Sequence, residues 1–304
     1  MIARSVLAAL FALMLGVSPV SAQEKVPVVA TFSILADFVK NVGGDRVAVS
    51  TLVQPNGDAH VYQPSPADAK TVADAKIVFM NGLGLEGWLD RLIKASGTKG
   101  AVVIGTKGIK PQEMKDEDGG HGKEHAREHK LDPHAWQSIA NVKIYTANIR
   151  DALIAADPGG RKIYEENAAD YLKRLTALEK EVKEAVAKIA PAKRRVITTH
   201  DAFGYFAKAY GIEFIAPQGV STETEASAKD VAKIIRQIKA QKIPAVFMEN
   251  ISDPRLMQQI AKETGAKVGG TVYSDSLSDE KGPASTYIDM MRHNIRQFSA
   301  ALTS

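Results

Sequence analysis

One long apolar stripe near the middle of the chain restricts its possible folds most strongly. Between Asp157 and Ile189, apolar residues recur at alternating steps of four and three, with Lys, Arg and Glu at most positions between them. This spacing is typical of a single helix with one buried face. The stripe consists of Tyr164, Ala168, Tyr171, Leu175, Leu178, Val182, Ala185 and Ile189. Asp157 is predicted to cap the first turn and Pro191 to end the helix, which would span roughly 45 Å at about 1.5 Å per residue.

Two halves that resemble each other flank this helix, at a constant separation of 168 positions. The matched pairs are Val28 and Val196, Thr31 and Thr199, Phe38 and Phe206, Lys40 and Lys208, Gly43 and Gly211, Ala48 and Ala216, Val78 and Val246, Phe79 and Phe247, Met80 and Met248, and Gly97 and Gly265. We therefore predict two copies of one α/β unit joined by a stiff helix. A heptad pattern also occurs in coiled coils, and periodicity alone leaves that alternative open.

Predicted strands alternate with predicted helices in both halves, as in Val26–Thr31, the helix around 34–42 and Val47–Val53. This order predicts an α/β fold with mainly parallel sheets, whose ligands bind beyond the carboxyl ends of the strands. We expect four segments: a signal peptide at 1–22, an amino-terminal α/β lobe at 23–156, a connecting helix at 157–190 and a carboxy-terminal α/β lobe at 191–304.

The first 22 residues have the features of an export signal. Arg4 supplies a positive charge, Val6–Val17 is an uncharged apolar run, and Val20-Ser21-Ala22 offers a cleavage site after Ala22. The apolar run is too short to span a membrane comfortably. The chain contains no cysteine, so no thiol is present for lipid attachment, disulfides or metal binding. We expect an unlipidated protein in a bacterial periplasm.

Four candidate metal ligands lie in loops after predicted strands or before the connecting helix: His60, His134, His200 and Asp275. They are far apart in the chain, so no local spacing identifies them. Taken singly, each histidine has a hydrogen-bonding or surface role as its ordinary alternative. Without cysteine, any metal must be held by nitrogen and oxygen donors.

A second group of histidines lies in a charged, glycine-containing loop at 115–130. His121, His125 and His129 stand four residues apart, a spacing that can align them around a metal on one helical turn. A hydrophilic insertion that happens to contain histidines is the alternative. Charges elsewhere alternate in sign along the predicted helices, which is typical of a solvated surface, so we expect no nucleic-acid partner.

Five segments together resemble the zinc/manganese solute-binding proteins of ABC transporters, and the zinc-binding periplasmic members most closely. The segments are Gly57-Asp58-Ala59-His60 with Tyr62, Asp132-Pro133-His134-Ala135-Trp136, Thr199-His200-Asp201-Ala202-Phe203-Gly204-Tyr205-Phe206, Val246-Phe247-Met248-Glu249, and Tyr273-Ser274-Asp275-Ser276-Leu277. The resemblance implies two α/β lobes joined by one long rigid helix, with a metal in the cleft. By this resemblance His60 and His134 are ligands from the first lobe, and His200 and Asp275 from the second.

Three neutral imidazoles and one carboxylate suit tetrahedral Zn²⁺, whereas Mn²⁺ favours more oxygen. Manganese-binding members typically carry a carboxylate at the position of His200, which favours zinc here. Glu249 is a candidate hydrogen-bond acceptor for a ligand imidazole, with a helix-capping role as its alternative. The loop of His121, His125 and His129 resembles the histidine-rich insertion of zinc-specific members and implies a metal-collecting role.

The resemblance implies a monomeric, non-enzymatic zinc-binding protein that delivers Zn²⁺ to an inner-membrane ABC permease with its cytoplasmic ATPase. Whether a periplasmic metallochaperone loads the site stays open. A manganese or iron carrier of the same fold is the first alternative. A zinc-dependent hydrolase is the second, and it would require water in place of one of the four ligands.

Overall fold

The structure is a computed structural model that describes residues 24–113 and 131–303. The predicted signal peptide at 1–22 lies outside the described residues. So does the whole loop at 115–130, with its three histidines, His121, His125 and His129. Within the described ranges, no helix combines the length and the apolar character needed to cross a membrane.

The amino-terminal lobe is built on a sheet of four parallel strands in the order β2-β1-β3-β4. A two-stranded antiparallel ribbon, β5-β6, flanks the undescribed segment. The elements of this lobe are β1 (Val26–Phe32), α1 (Ser33–Gly43), β2 (Val47–Val53), α2 (Pro66–Asp74), β3 (Ile77–Met80), α3 (Leu89–Ser96), β4 (Ala101–Ile104), β5 (Gln112–Glu113), β6 (Leu131–Asp132) and α4 (Ile139–Ala156).

A connecting helix, α5 (Arg161–Ala187), follows, and the carboxy-terminal lobe comes after it. The second sheet is also parallel, in the order β10-β9-β7-β8. The elements are β7 (Arg195–Ile197), α6 (Gly204–Tyr210), β8 (Glu213–Ile215), α7 (Ala228–Gln241), β9 (Ala245–Glu249), α8 (Arg255–Thr264), β10 (Lys267–Val272) and α9 (Tyr287–Leu302).

The two sheets have the same strand order when β1 to β4 are matched with β7 to β10. The register of the central strands is also repeated: Val29 pairs with Val78 in the first sheet, and Ile197 with Val246 in the second. Both pairs are related by the 168-residue separation seen in the sequence. Gly97 and Gly265 end α3 and α8 with φ of 61° and 74°, a left-handed conformation that favours glycine. The predicted α/β fold and internal duplication are confirmed.

The connecting helix packs on α1 and α4 of one lobe and on α6 and α9 of the other. Its buried face follows the predicted stripe with one exception: Val186 is buried in place of the predicted Ala185, which is half-buried. The predicted cap is wrong, because the carboxylate of Asp157 instead accepts hydrogen bonds from Arg46 and Tyr164. A short 3₁₀ turn, Pro158–Gly160, precedes the helix.

One continuous apolar core runs from the first sheet through α4 and α5 into α9, and a smaller core lies under α7 and α8. Because the first core spans both lobes, α5 contributes to the packing of each lobe. The lobe boundaries at 157 and 190 remain a prediction. The carboxyl ends of β2, β6, β7 and β10 lead into the loops that carry the four candidate ligands.

Candidate metal centre

His60 is fixed by the loop that follows β2. Oδ1 of Asp58 accepts the backbone N–H of His60 at 2.8 Å, and Trp88 Nε1 donates to the carbonyl of Ala59 at 2.8 Å. Asn56, with φ of 61°, turns the chain and donates its backbone N–H to the carbonyl of Leu277 in the other lobe at 2.9 Å. The loop therefore positions His60 at the boundary between the lobes.

His134 follows β6 and is held by the aspartate two residues before it. Oδ1 of Asp132 accepts the backbone N–H of His134 at 2.9 Å and lies 2.8 Å from its Nδ1. Asn81 Nδ2 donates to the carbonyl of Pro133 at 2.9 Å, and the ring of Trp136 packs edge-on against His134. These contacts direct Nε2 of His134 towards the cleft.

His200 follows β7 and lies beside Glu249 at the end of β9. Oε1 of Glu249 accepts the backbone N–H groups of Thr199 and His200 at 2.8 and 3.0 Å. Its Oε2 lies 2.5 Å from Nδ1 of His200. Glu249 thus fixes both the backbone and the ring of His200, and the predicted alternative of a helix cap is wrong, since α8 begins only at Arg255.

Asp275 follows β10 in a segment that is bonded across the lobes. The carbonyl of Ser274 accepts hydrogen bonds from Trp136 Nε1 at 2.9 Å and Gln137 Nε2 at 2.8 Å. Oδ1 of Asp275 is buried and accepts no hydrogen bond from the described residues. Its Oδ2 faces the three histidines.

The four candidate ligands converge on one point. Their donor atoms all lie within 4.8 Å of one another. Oδ2 of Asp275 is 3.2, 3.5 and 3.2 Å from Nε2 of His60, His134 and His200, and the first two Nε2 atoms are 3.3 Å apart. Bonds of about 2.0–2.1 Å in a tetrahedron place neighbouring donors about 3.3 Å apart. The spacing therefore fits a small, four-coordinate ion.

The sequence matches a family model described as "Zinc-uptake complex component A periplasmic" over residues 28–301. The chain belongs to this zinc-uptake component A family. Its members are extracytoplasmic, metal-binding components of ABC transporters, which work with a permease and an ATPase and are not enzymes. The predicted carrier class is confirmed by this membership.

Three similar proteins carry the names of three different metals. The manganese-binding lipoprotein MntA of Halalkalibacterium halodurans is 33% identical over 92% of this chain and 89% of its own length. The iron-binding protein YfeA of Yersinia pestis is 34% identical over 91% and 86%. The periplasmic zinc-binding protein TroA of Treponema pallidum superimposes with a TM-score of 0.84, at 28% identity over 92% and 100%. Membership in the zinc-uptake component A family thus establishes metal binding without fixing the metal.

The electrostatics of the centre favour protonated histidines in the metal-free protein. Burial by itself lowers the pKa of His134, but Asp275 and Asp132 outweigh it and raise that pKa to about 9. Burial is likewise outweighed at His200, where Glu249 and Asp275 raise the pKa well above its ordinary value. Burial raises the pKa of Asp275, yet His134 and His200 hold it well below its usual range. A bound cation would replace these protons as the partner of the carboxylate.

Asp58 and Asp132 also belong to the centre, but the sequence did not single them out as site residues. Each precedes a candidate ligand by two positions, in Asp58-Ala59-His60 and Asp132-Pro133-His134, and accepts the backbone N–H of that histidine. An aspartate that bonds the backbone two residues on is a common turn. The repeated Asp-x-His pattern was therefore a usable signal.

Proposed function

We propose that this protein captures Zn²⁺ in the periplasm and delivers it to the permease of an ABC importer. The observation that carries the proposal is the convergence of His60, His134, His200 and Asp275, whose exposed fractions are 6%, 0%, 0% and 1%. In this proposal all four are ligands, and the cleft lies between lobes at 23–156 and 191–304 joined by a connecting helix at 157–190. Three nitrogens and one oxygen in a tetrahedral arrangement suit zinc.

Manganese is the rival cargo, because several similar proteins are named for it. Mn²⁺ prefers more oxygen donors than the single carboxylate, that of Asp275, which this site offers. Glu249 does not supply one, since its Oε1 accepts two backbone N–H groups and its Oε2 lies against Nδ1 of His200, on the far side of the ring from Nε2. The donor set therefore supports zinc over manganese.

The presence of four protein donors also supports cargo binding over hydrolysis. A catalytic zinc site keeps one position for water or substrate, whereas four protein donors fill a tetrahedral ion. Glu249 is proposed to orient His200 and to strengthen it as a donor.

Release into the periplasm without a lipid anchor is proposed from the composition. MntA is named as a lipoprotein, but the 304 residues of this chain include no cysteine to carry a lipid. We propose cleavage after Ala22 and a monomer that meets its permease by diffusion.

His121, His125 and His129 are proposed to collect metal ahead of the buried site. Their segment leaves the described structure after Glu113 and returns at Leu131, and these two residues pair in the β5-β6 ribbon. Leu131 also borders a large cavity next to His60. A collecting segment attached there would release its ion close to the centre.

Elemental analysis and competition titration of the purified protein test this proposal. Protein purified without added metal is expected to carry about one zinc ion per chain and to prefer Zn²⁺ over Mn²⁺ by several orders of magnitude. His200→Ala is expected to lose tight binding, and His293→Ala serves as the matched control, because His293 bonds the carbonyl of Thr271 away from the centre. Equal zinc binding by the two variants, or a wild-type preference for manganese, would refute the assignment.

A further inference from the structure

A strap of residues 216–226 runs between the two lobes beside the candidate metal centre. Its base is bonded to the neighbours of His200: Gln218 donates its backbone N–H to the carbonyl of Thr199 at 3.3 Å, and Asp201 donates to the carbonyl of Gly219 at 3.2 Å. The base of the strap therefore belongs to the carboxy-terminal lobe.

The tip of the strap reaches the other lobe through the side chain of Thr222. Thr222 Oγ1 donates to Oδ2 of Asp58 at 2.6 Å, while Oδ1 of the same carboxylate accepts the backbone N–H of His60 at 2.8 Å. Asp58 thus connects the strap directly to the loop of one candidate ligand. A change in the Thr222 bond is transmitted to His60 through one carboxylate.

The strap is also held together by hydrogen bonds within itself. Nε2 of Gln218 donates to the carbonyls of Thr222 and Thr224 at 3.2 and 2.8 Å. These bonds close a short loop around the tip. Breaking the contact with Asp58 would therefore free the whole tip.

A cavity of about 840 Å³ lies between the strap and the amino-terminal lobe. His60 borders it, whereas His134, His200 and Asp275 do not. Three carboxylates, those of Glu223, Glu225 and Asp230, line the cavity, and no lysine or arginine of the described chain does. A lining whose charged side chains are all negative attracts cations.

His60 also differs from the other two histidines in how its ring is held. Nδ1 of His134 is bonded to Asp132, and Nδ1 of His200 lies against Glu249. Within the described ranges, no carboxylate holds Nδ1 of His60 in this way. Asp58 instead holds His60 through its backbone N–H.

We propose that the Thr222–Asp58 hydrogen bond is a latch that sets how fast a metal ion passes between the acidic cavity and the centre, by way of His60. The inference rests on the proposed function as a metal carrier. Asp58 and Thr222 are positioning residues, which touch the ion only through His60 and the strap. The latch holds the strap in both end states and opens only while the ion passes, so its loss accelerates entry and exit together.

Stopped-flow transfer of Zn²⁺ from the loaded full chain to an excess of a coloured chelator tests the latch. A hydrogen bond to a carboxylate contributes about 1.5–3 kcal/mol, so Thr222→Val is expected to raise both the release rate and the uptake rate about tenfold to a hundredfold. The dissociation constant is expected to change less than about twofold. Thr222→Ser keeps the hydroxyl and is expected to restore the wild-type rates.

Thr224→Val is the matched control, since it makes the same change two residues along the strap and its hydroxyl bonds none of the described residues. Thr224 borders the cavity, so this control also reports the effect of a changed lining alone. Thr222 is only half-buried, so its replacement leaves the cores intact. A Thr222→Val rate equal to that of wild type, or an equal acceleration in Thr224→Val, overturns the latch. Wild-type protein that binds no zinc overturns the proposed function instead, which separates the two failures.

Discussion

Nδ1 of His200 lies 2.5 Å from Oε2 of Glu249, and both groups are buried. A carboxylate at this position holds a proton on Nδ1, which leaves Nε2, 3.2 Å from Oδ2 of Asp275, as the nitrogen available to bind a metal. Asp132 does the same for His134 in the other lobe. Each lobe therefore orients one imidazole with a carboxylate of its own.

Glu249→Gln is expected to weaken zinc binding about tenfold to a hundredfold, the usual cost of removing such a partner. The amide keeps an oxygen for the backbone N–H groups of Thr199 and His200, so the fold is retained. Its NH₂ group, however, meets Nδ1 and favours the tautomer that puts the proton on Nε2. Competition titration measures the loss, with the exposed Glu213→Gln as control. Unchanged affinity would contradict this role.

His200→Asp is expected to weaken Zn²⁺ binding and to narrow its advantage over Mn²⁺. The change replaces a nitrogen donor with oxygen, which shifts the donor set towards the one that manganese favours. It also places a carboxylate beside Glu249 and Asp275, which adds repulsion in the metal-free protein. Titrations with both metals measure the ratio of the two affinities. A ratio equal to that of wild type would count against His200 as a ligand.

The repeated α/β architecture could be predicted from sequence because its signals are local. Strand and helix periods, and turn glycines such as Gly97 and Gly265, reflect backbone requirements that both halves share. The start of α5 could not be predicted in the same way. Asp157 has the chemistry of a cap, but Arg46, which is 111 positions away, takes its carboxylate.

The four candidate ligands were found through a resemblance, since nothing local joins residues as far apart as His60 and Asp275. The orientation of each imidazole could not be predicted from the sequence, because it depends on contacts between distant segments. Glu249 and His200 are 49 positions apart, and Thr222 and Asp58 are 164 apart. Such contacts follow from the packing of the lobes.

Zinc binding is expected to release about two protons per ion at pH 7. The raised pKa values of His134 and His200 keep both rings protonated in the metal-free protein, and a metal must displace those protons. Apparent affinity should therefore increase as the pH rises towards 9. Calorimetric titration in buffers of different ionisation enthalpy counts the protons, and a value near zero would contradict the proposed ligands.

The same groups predict how the stability of the metal-free protein depends on pH. The folded pKa of His134, about 9, exceeds its ordinary value of 6.5. The contribution of His134 to the free energy of unfolding is therefore complete below pH 6.5 and is lost as the pH rises through 9. Thermal unfolding in a chelator should show a falling midpoint between pH 6.5 and 9. Zinc-loaded protein should show a smaller fall, because the bound ion takes over the role of the protons.

Deletion of residues 115–129 is expected to slow zinc acquisition while leaving the equilibrium affinity close to that of the full chain. The deletion removes His121, His125 and His129 but retains the four buried candidate ligands. Uptake rates at limiting zinc measure the effect. A matched variant with all three histidines changed to Asn keeps the segment length and separates metal collection from chain length. A large loss of affinity in that variant would contradict the collecting role.

Asp37 on α1 provides a test of stability away from the metal centre. It is buried against α9, where Oδ2 accepts the backbone N–H of Tyr287 at 3.1 Å. Burial is the largest effect on this carboxyl and raises its pKa to about 6 from 3.8, although the Tyr287 N–H and the charges of Lys40 and Arg174 oppose the shift. The folded state therefore binds this proton more tightly than the unfolded state.

The contribution of Asp37 to stability should accordingly decrease as the pH rises from about 4 to about 6. Asp37→Asn keeps an oxygen for the Tyr287 N–H and removes the buried charge. It is expected to match wild type near pH 4 and to exceed it at pH 7.5 by on the order of 2–3 kcal/mol. Urea unfolding of both proteins in a chelator measures the difference, and Asp74→Asn, at an exposed position on α2, should stay within about 0.5 kcal/mol at both pH values. If the free energy of unfolding of Asp37→Asn depends on pH in the same way as that of wild type, Asp37 remains ionised in the folded protein throughout this range.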